Sequence, residues 1–105
     1  MANKYGNIKT VTSDGIKHDS IKEANRWCEL KLLERGGRIQ DLQRQVKYEL
    51  IPKQEGERAV FYIADFVYTE NGKKVVEDAK GCRTEVYKLK KKMMLYFHGI
   101  RIKET

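Results

Sequence analysis

The residues predict an α/β fold of order α-β-β-β-α-β, a mixed central sheet with a helix on each face. Three observations carry this prediction. Asn71-Gly72 stands between two strand-like runs and is the strongest short-range hairpin signal a sequence offers. Apolar residues recur at helical spacing both before and after the strand region. A short apolar run follows the second helix, and a helical connection lets it join the sheet in parallel.

The elements follow in order. Ile8 to Val11, then Ser13-Asp14-Gly15, then Ile16 to His18 reads as a small leading hairpin or arm within residues 1–19. A helix starts near Ser20, with Ile21, Ala24, Cys28 and Leu32 at helical spacing and Trp27 and Leu30 beside them. Gly36-Gly37 stops it. From Ile39 to Ile51, Val46, Tyr48 and Leu50 alternate with Gln45, Lys47 and Glu49, as a strand requires. The hairpin runs from about Arg58 to Lys80, and Gly81 breaks it. A second helix spans about Thr84 to Phe97, with Val86, Leu89, Met93 and Phe97 on its expected buried side and Gly99 at its end. Ile100 to Lys103 is the last strand.

The chain has 105 residues, 40% of them hydrophobic, which suits one domain with one core. No apolar run approaches the roughly 20 residues of a membrane span, and the first residues lack the apolar core of a secretion signal. An intracellular, cytoplasmic protein is expected. The formal net charge of +7 points to a polyanionic partner, with nucleic acid the commonest case. Cys28 and Cys82 are far apart, no Cys-x-x-Cys pair exists, and His18 and His98 stand alone. Free thiols are expected, and zinc is not. A metal here would be oxygen-liganded, Mg²⁺ or Mn²⁺.

The hairpin arithmetic brings out the chemistry. With Asn71-Gly72 as the turn, Glu70 pairs with Lys73, and the same sum sets Asp65 opposite Asp78. Opposed side chains in an antiparallel pair have Cβ atoms about 4.5–5.5 Å apart, and like charges there destabilise the sheet. A hard cation shared by both carboxylates would remove the penalty. Asp65 also interrupts a run, Ala59 to Tyr68, that is apolar on both faces and reads as a central strand. An isolated ionised carboxylate there would be costly. A solvated strand end, or an ion pair with Lys80, would relieve it instead. Residues two apart on a strand share a face, so Asp78 and Lys80 are expected beside Asp65, with Lys80 diagonal to it. Glu77 and Ala79 should point the other way, though the Ala79 carbonyl could still ligate a metal. Carboxylate-held Mg²⁺ with a nearby ammonium suits phosphodiester hydrolysis. Acid-x-Lys alone is a weak signal: Glu29-Leu30-Lys31 also matches, but in a helix, where its two side chains diverge.

The constellation Asp65 … Asp78-Ala79-Lys80 resembles the PD-(D/E)xK nuclease superfamily, with its restriction-endonuclease-like core. The resemblance spans about Ser20 to Lys103. The stretches Tyr62-Ile63-Ala64-Asp65-Phe66 and Glu77-Asp78-Ala79-Lys80-Gly81 also look like small nuclease-like proteins of bacteriophages and prophages, whose place of action would be the host cytoplasm. Ala64 stands where the motif's proline would be. The resemblance implies that Asp65 and Asp78 bind divalent metal and that Lys80 serves catalysis. It also implies a metal-binding glutamate from the first helix, Glu23. Ser20-x-x-Glu23 is equally a capping box, in which Glu23 bonds the backbone at Ser20, and one carboxylate pose cannot fully meet both roles. Gln45 lies on the next strand and could lean into the same cleft.

On the second helix Lys88, Lys91 and Lys92 form a stripe able to track phosphates without reading sequence. A solvated lysine face would look the same. Arg83 and Thr84 at the helix start could bind a phosphate. The first expectation is therefore a Mg²⁺-dependent DNA endonuclease, structure-directed or non-specific, with a homodimer compatible with cutting two strands. The second is a non-catalytic nucleic-acid-binding module or accessory subunit that retains the nuclease fold.

Overall fold

The structure is a computed structural model that describes residues 9–79 and 84–105. Ile8, Lys80, Gly81, Cys82 and Arg83 lie outside the described residues. In chain order the elements are β1 (Thr10–Val11), β2 (Lys17–His18), α1 (Ile21–Arg35), β3 (Gln40–Ile51), β4 (Val60–Glu70), β5 (Lys73–Asp78), α2 (Glu85–His98) and β6 (Lys103–Glu104). β1 and β2 form a separate antiparallel pair. The main sheet has the order β3-β4-β5-β6, antiparallel except for the parallel β5–β6 contact, so it is mixed.

The turn behaves as its residues dictate. Asn71 and Gly72 have φ of 53° and 76°, the left-handed geometry of a two-residue hairpin loop. Pairing then runs from Glu70–Lys73 to Phe66–Glu77. Both helices are capped by their own side chains. The Ser20 hydroxyl accepts the Glu23 N–H at 3.1 Å, and the Thr84 hydroxyl accepts the Tyr87 N–H at 3.1 Å. Gly99, at φ 66°, closes α2 in the left-handed conformation that a side chain would disfavour.

The two helices cover opposite faces of the sheet. Trp27 and Leu30 of α1 pack with Ile39, Phe66, Tyr68 and Ala79. Tyr87 and Met94 of α2 pack with Leu50, Tyr62, Ala64, Val67, Val76 and Ile102. The buried stripes differ from the expected ones. On α1 they are Glu23, Ala24, Trp27 and Leu30, while Ile21, Cys28 and Leu32 are exposed. On α2 they are Tyr87 and Met94, while Val86, Leu89 and Phe97 face solvent. Periodicity establishes that a helix has an apolar stripe; it does not say which of two apolar stripes meets the sheet.

The strands also hold a change of phase. Tyr62 and Ala64 lie in the core under α2, yet Phe66 and Tyr68, at the same even spacing, lie under α1. On β3, Leu42 packs on the α1 side and Val46 and Tyr48 on the α2 side. Residues two apart normally share a face, so the alternation breaks between these positions. The break falls where Gln45 faces Asp65, between the pairs Arg44–Phe66 and Val46–Ala64. Gln45 has φ 53°, a left-handed conformation costing a non-glycine residue about 1–3 kcal/mol.

No helix among the described residues is long and apolar enough to cross a membrane.

Candidate functional site

Backbone strain at Gln45 turns its side chain towards α1. Its amide nitrogen donates to Glu23 Oε1 at 3.0 Å and lies 3.5 Å from Asp65 Oδ1. The other oxygen of Asp65 accepts the Ala79 N–H at 2.8 Å. Four elements thus converge on Asp65: α1 through Glu23, β3 through Gln45, β4 itself, and the residue just after β5. Glu23 divides its two oxygens. Oε2 accepts the Asp19 N–H at 2.9 Å, while Oε1 takes the Gln45 amide. The expected choice between capping and an inward role is therefore resolved by sharing, and the capped N–H is that of Asp19 in place of Ser20.

The electrostatics fit a crowded acidic site. Burial pushes the Glu23 carboxyl above its ordinary range; the Asp19 N–H pulls it back, and the Asp65 and Asp19 charges add to the rise. His18, buried at the end of β2, is held below its ordinary value by burial and then by the Arg44 charge. Its Nδ1 has no hydrogen-bond partner among the described residues.

Asp78 is fully buried, and its Oδ2 accepts the Tyr62 hydroxyl at 2.7 Å. Tyr62 belongs to the core under α2. Asp65 and Asp78 thus leave the hairpin towards different neighbours, in place of the shared face that an unbroken ladder predicts. The phase break at Asp65 is the physical reason. Glu77, expected to point away from Asp65, turns instead to α1, the side on which Asp65 meets Gln45 and Glu23, and is fully buried there against Arg26 and the Tyr68 hydroxyl.

Among the described residues, no three of His, Cys, Asp and Glu gather as a metal-holding group. What is present is a pair of hard carboxylates, Asp65 and Glu23, bridged by one amide N–H donor. That donor set suits Mg²⁺ or Mn²⁺ and would not select a softer metal. Ala79 contributes its N–H to Asp65, and Lys80 lies outside the described residues.

The remaining sequence candidates sit on or near α2. Thr84 caps the helix with its hydroxyl. Lys88 lies 3.3 Å from Glu85 and Lys91 lies 3.2 Å from Glu104. Lys92 is exposed, and Arg83 lies outside the described residues. Arg26, Glu77 and Tyr62 are site neighbours that the sequence reading did not single out. Arg26 could have been found, since it stands one helical turn beyond Glu23 and shares its face.

Fold and site together define an α/β protein with a mixed sheet, two helices and an acid–amide cluster at a strained strand junction. The chain belongs to a family described as a protein of unknown function, DUF1064, whose model matches residues 2–103. No curated protein matches it, and no solved structure does.

Proposed function

We propose that this protein is a Mg²⁺- or Mn²⁺-dependent DNA endonuclease with a restriction-endonuclease-like core, of the kind the PD-(D/E)xK superfamily has. Cleavage in this reading is directed by DNA structure or is non-specific, as a stripe of lysines that tracks phosphates without reading bases would allow. One observation carries the reading: the Gln45 amide joins Glu23 and Asp65 at a strained junction. Strain of this kind clusters at functional sites.

In this reading Asp65 and Glu23 would hold the divalent ion; the motif assigns Asp78 and the Ala79 carbonyl to it as well, which requires Asp78 to exchange its Tyr62 contact for the ion. When bound there, a divalent ion would supply Lewis-acid polarisation of a phosphoryl oxygen and a lowered pKa for water. The chain's own groups do the rest. Gln45 orients both carboxylates through one amide. The Ala79 N–H fixes the second oxygen of Asp65. Lys80 stabilises negative charge at the phosphorus. Lys92 holds the DNA backbone, while Lys88 and Lys91, already paired with Glu85 and Glu104, contribute less.

A second reading, a nucleic-acid-binding module without turnover, draws support from Asp78. Fully buried and hydrogen-bonded by Tyr62, it has the surroundings of a structural acid. Incubation with supercoiled plasmid, branched DNA and single-stranded DNA, in Mg²⁺, Mn²⁺ or chelator, separates the two. Metal-dependent products that disappear in Asp65→Ala, Asp78→Ala and Lys80→Ala support the enzyme. Binding without cleavage of any substrate supports the module.

A further inference from the structure

We infer that the groove between α2 and β6 is a docking site for an acidic amphipathic helix of a partner protein. The groove has a volume of about 660 Å³ and is lined by Leu89, Leu95 and Ile102 together with Lys88, Lys92 and Arg101. Leu89 and Leu95 are 56% and 40% exposed, and Ile102 forms the buried floor. Among the described residues nothing covers this apolar surface. Such surface ringed by charge marks an interaction site more often than it marks a plain exterior.

Charge complementarity identifies the occupant. Lys88, Lys91, Lys92 and Arg101 line the groove, against two acids, Glu85 and Glu104. Both acids are engaged: Glu85 by Lys88, and Glu104 by Lys91 and the Tyr87 hydroxyl at 2.8 Å. Lys92 and Arg101 have no acidic partner among the described residues. A second copy of this chain would bring the same lysines against one another, on a protein already at +7. A single-stranded nucleic acid would need aromatic faces for its bases. Tyr87 is the aromatic in the lining, and it is buried. Aliphatic walls with a basic rim suit apolar anchors at i, i+3 or i+4 and i+7, with carboxylates on the flanks.

Lys88 and Lys92 are also the phosphate-tracking candidates, so the test uses Leu95 and Arg101. The probe is a fluorescent helical peptide of about 15 residues with Leu anchors at that spacing and Glu flanks. Its controls are the same peptide with Lys flanks, a scrambled peptide and a labelled single-stranded oligonucleotide. Anisotropy titrations should give saturable binding of the Glu peptide alone, weakened by salt. Leu95→Glu and Arg101→Glu, each checked for an unchanged circular dichroism spectrum, should weaken it by roughly tenfold or more. The inference is overturned by no binding up to about 1 mM, by equal binding of the Lys or scrambled peptide, or by full affinity in both variants. Oligonucleotide binding that Leu95→Glu removes would assign the groove to nucleic acid and overturn it too. So would sedimentation showing a dimer that Leu95→Glu dissociates.

Discussion

Arg26 and Glu77 form a two-pronged ion pair between α1 and the end of β5. Arg26 Nε donates to Glu77 Oε1 at 2.8 Å, and Nη2 donates to Oε2 at 2.7 Å. The Tyr68 hydroxyl supplies a third donor. Glu77 is fully buried, and the Arg26 side chain is 18% exposed. A buried pair of this kind adds little net stability over an apolar one, but breaking it strands a charge. Arg26→Ala should therefore cost about 3–5 kcal/mol, measured by urea unfolding. Arg26→Met with Glu77→Leu should recover most of that loss. If Arg26→Ala unfolds like the parent, the pair is not what holds α1 to β5.

Acid should weaken the fold in two steps. His18 has a folded pKa below its ordinary 6.5, through burial first and the Arg44 charge second, with Asp14, Asp19 and Asp65 opposing. Between that lowered value and 6.5 the unfolded chain holds a proton that the folded chain does not. Stability then falls as pH drops below 6.5. Burial raises the Glu77 carboxyl, but the Arg26 and Tyr68 hydrogen bonds and the Arg26 charge outweigh it, and the net shift is below 4.5. Its contribution is present above 4.5 and is lost as pH falls further. Thermal midpoints across pH should decline in both windows, and His18→Phe should flatten the upper one alone.

Divalent metal should stabilise the protein if the Glu23–Gln45–Asp65 cluster holds it. A ligand that binds only the folded state adds about 2.7 kcal/mol at a hundred times its Kd. Mg²⁺ should raise the melting midpoint of the parent and leave Asp65→Asn unmoved. Gln45→Glu would put a third carboxylate where the amide now sits. That variant should melt lower than the parent in chelator and gain more from Mg²⁺. Equal Mg²⁺ shifts in the parent and Asp65→Asn would remove Asp65 from the metal-binding set.

The hairpin turn offers a test of register. A Cβ on Gly72 would meet nothing within 4 Å, so Gly72→Ala is resisted only by its φ of 76°. A cost of about 1–2 kcal/mol follows from the left-handed conformation. Gly72→Asn, which tolerates that region better, should cost less. Chemical denaturation of the two variants gives the comparison.

Much of the architecture was legible because its signals are local. Ser20 and Thr84 cap helices with their own hydroxyls, and Gly99 ends one by taking the left-handed conformation. The site was legible only in part. Asp65, Glu23 and Gln45 were candidates that the structure draws together. Arg26, Tyr62 and the inward turn of Glu77 against α1 involve partners 16 to 51 residues away. No local pattern names such a partner. The exposed stripe on α2 misled for a related reason: Val86, Leu89 and Phe97 have core-like spacing, yet Tyr87 and Met94 took the core, with only Met93 of the expected stripe packed against it.

By itself, the order of residues determined the helices, the strands and the pairing from Glu70–Lys73 to Phe66–Glu77, because turn and cap chemistry acts over a few neighbouring positions. Only the tertiary structure decided where side chains go at the junction of β3 and β4. A left-handed Gln45 reverses the alternation opposite Asp65, and no periodicity read along one strand reveals a break that two strands make together.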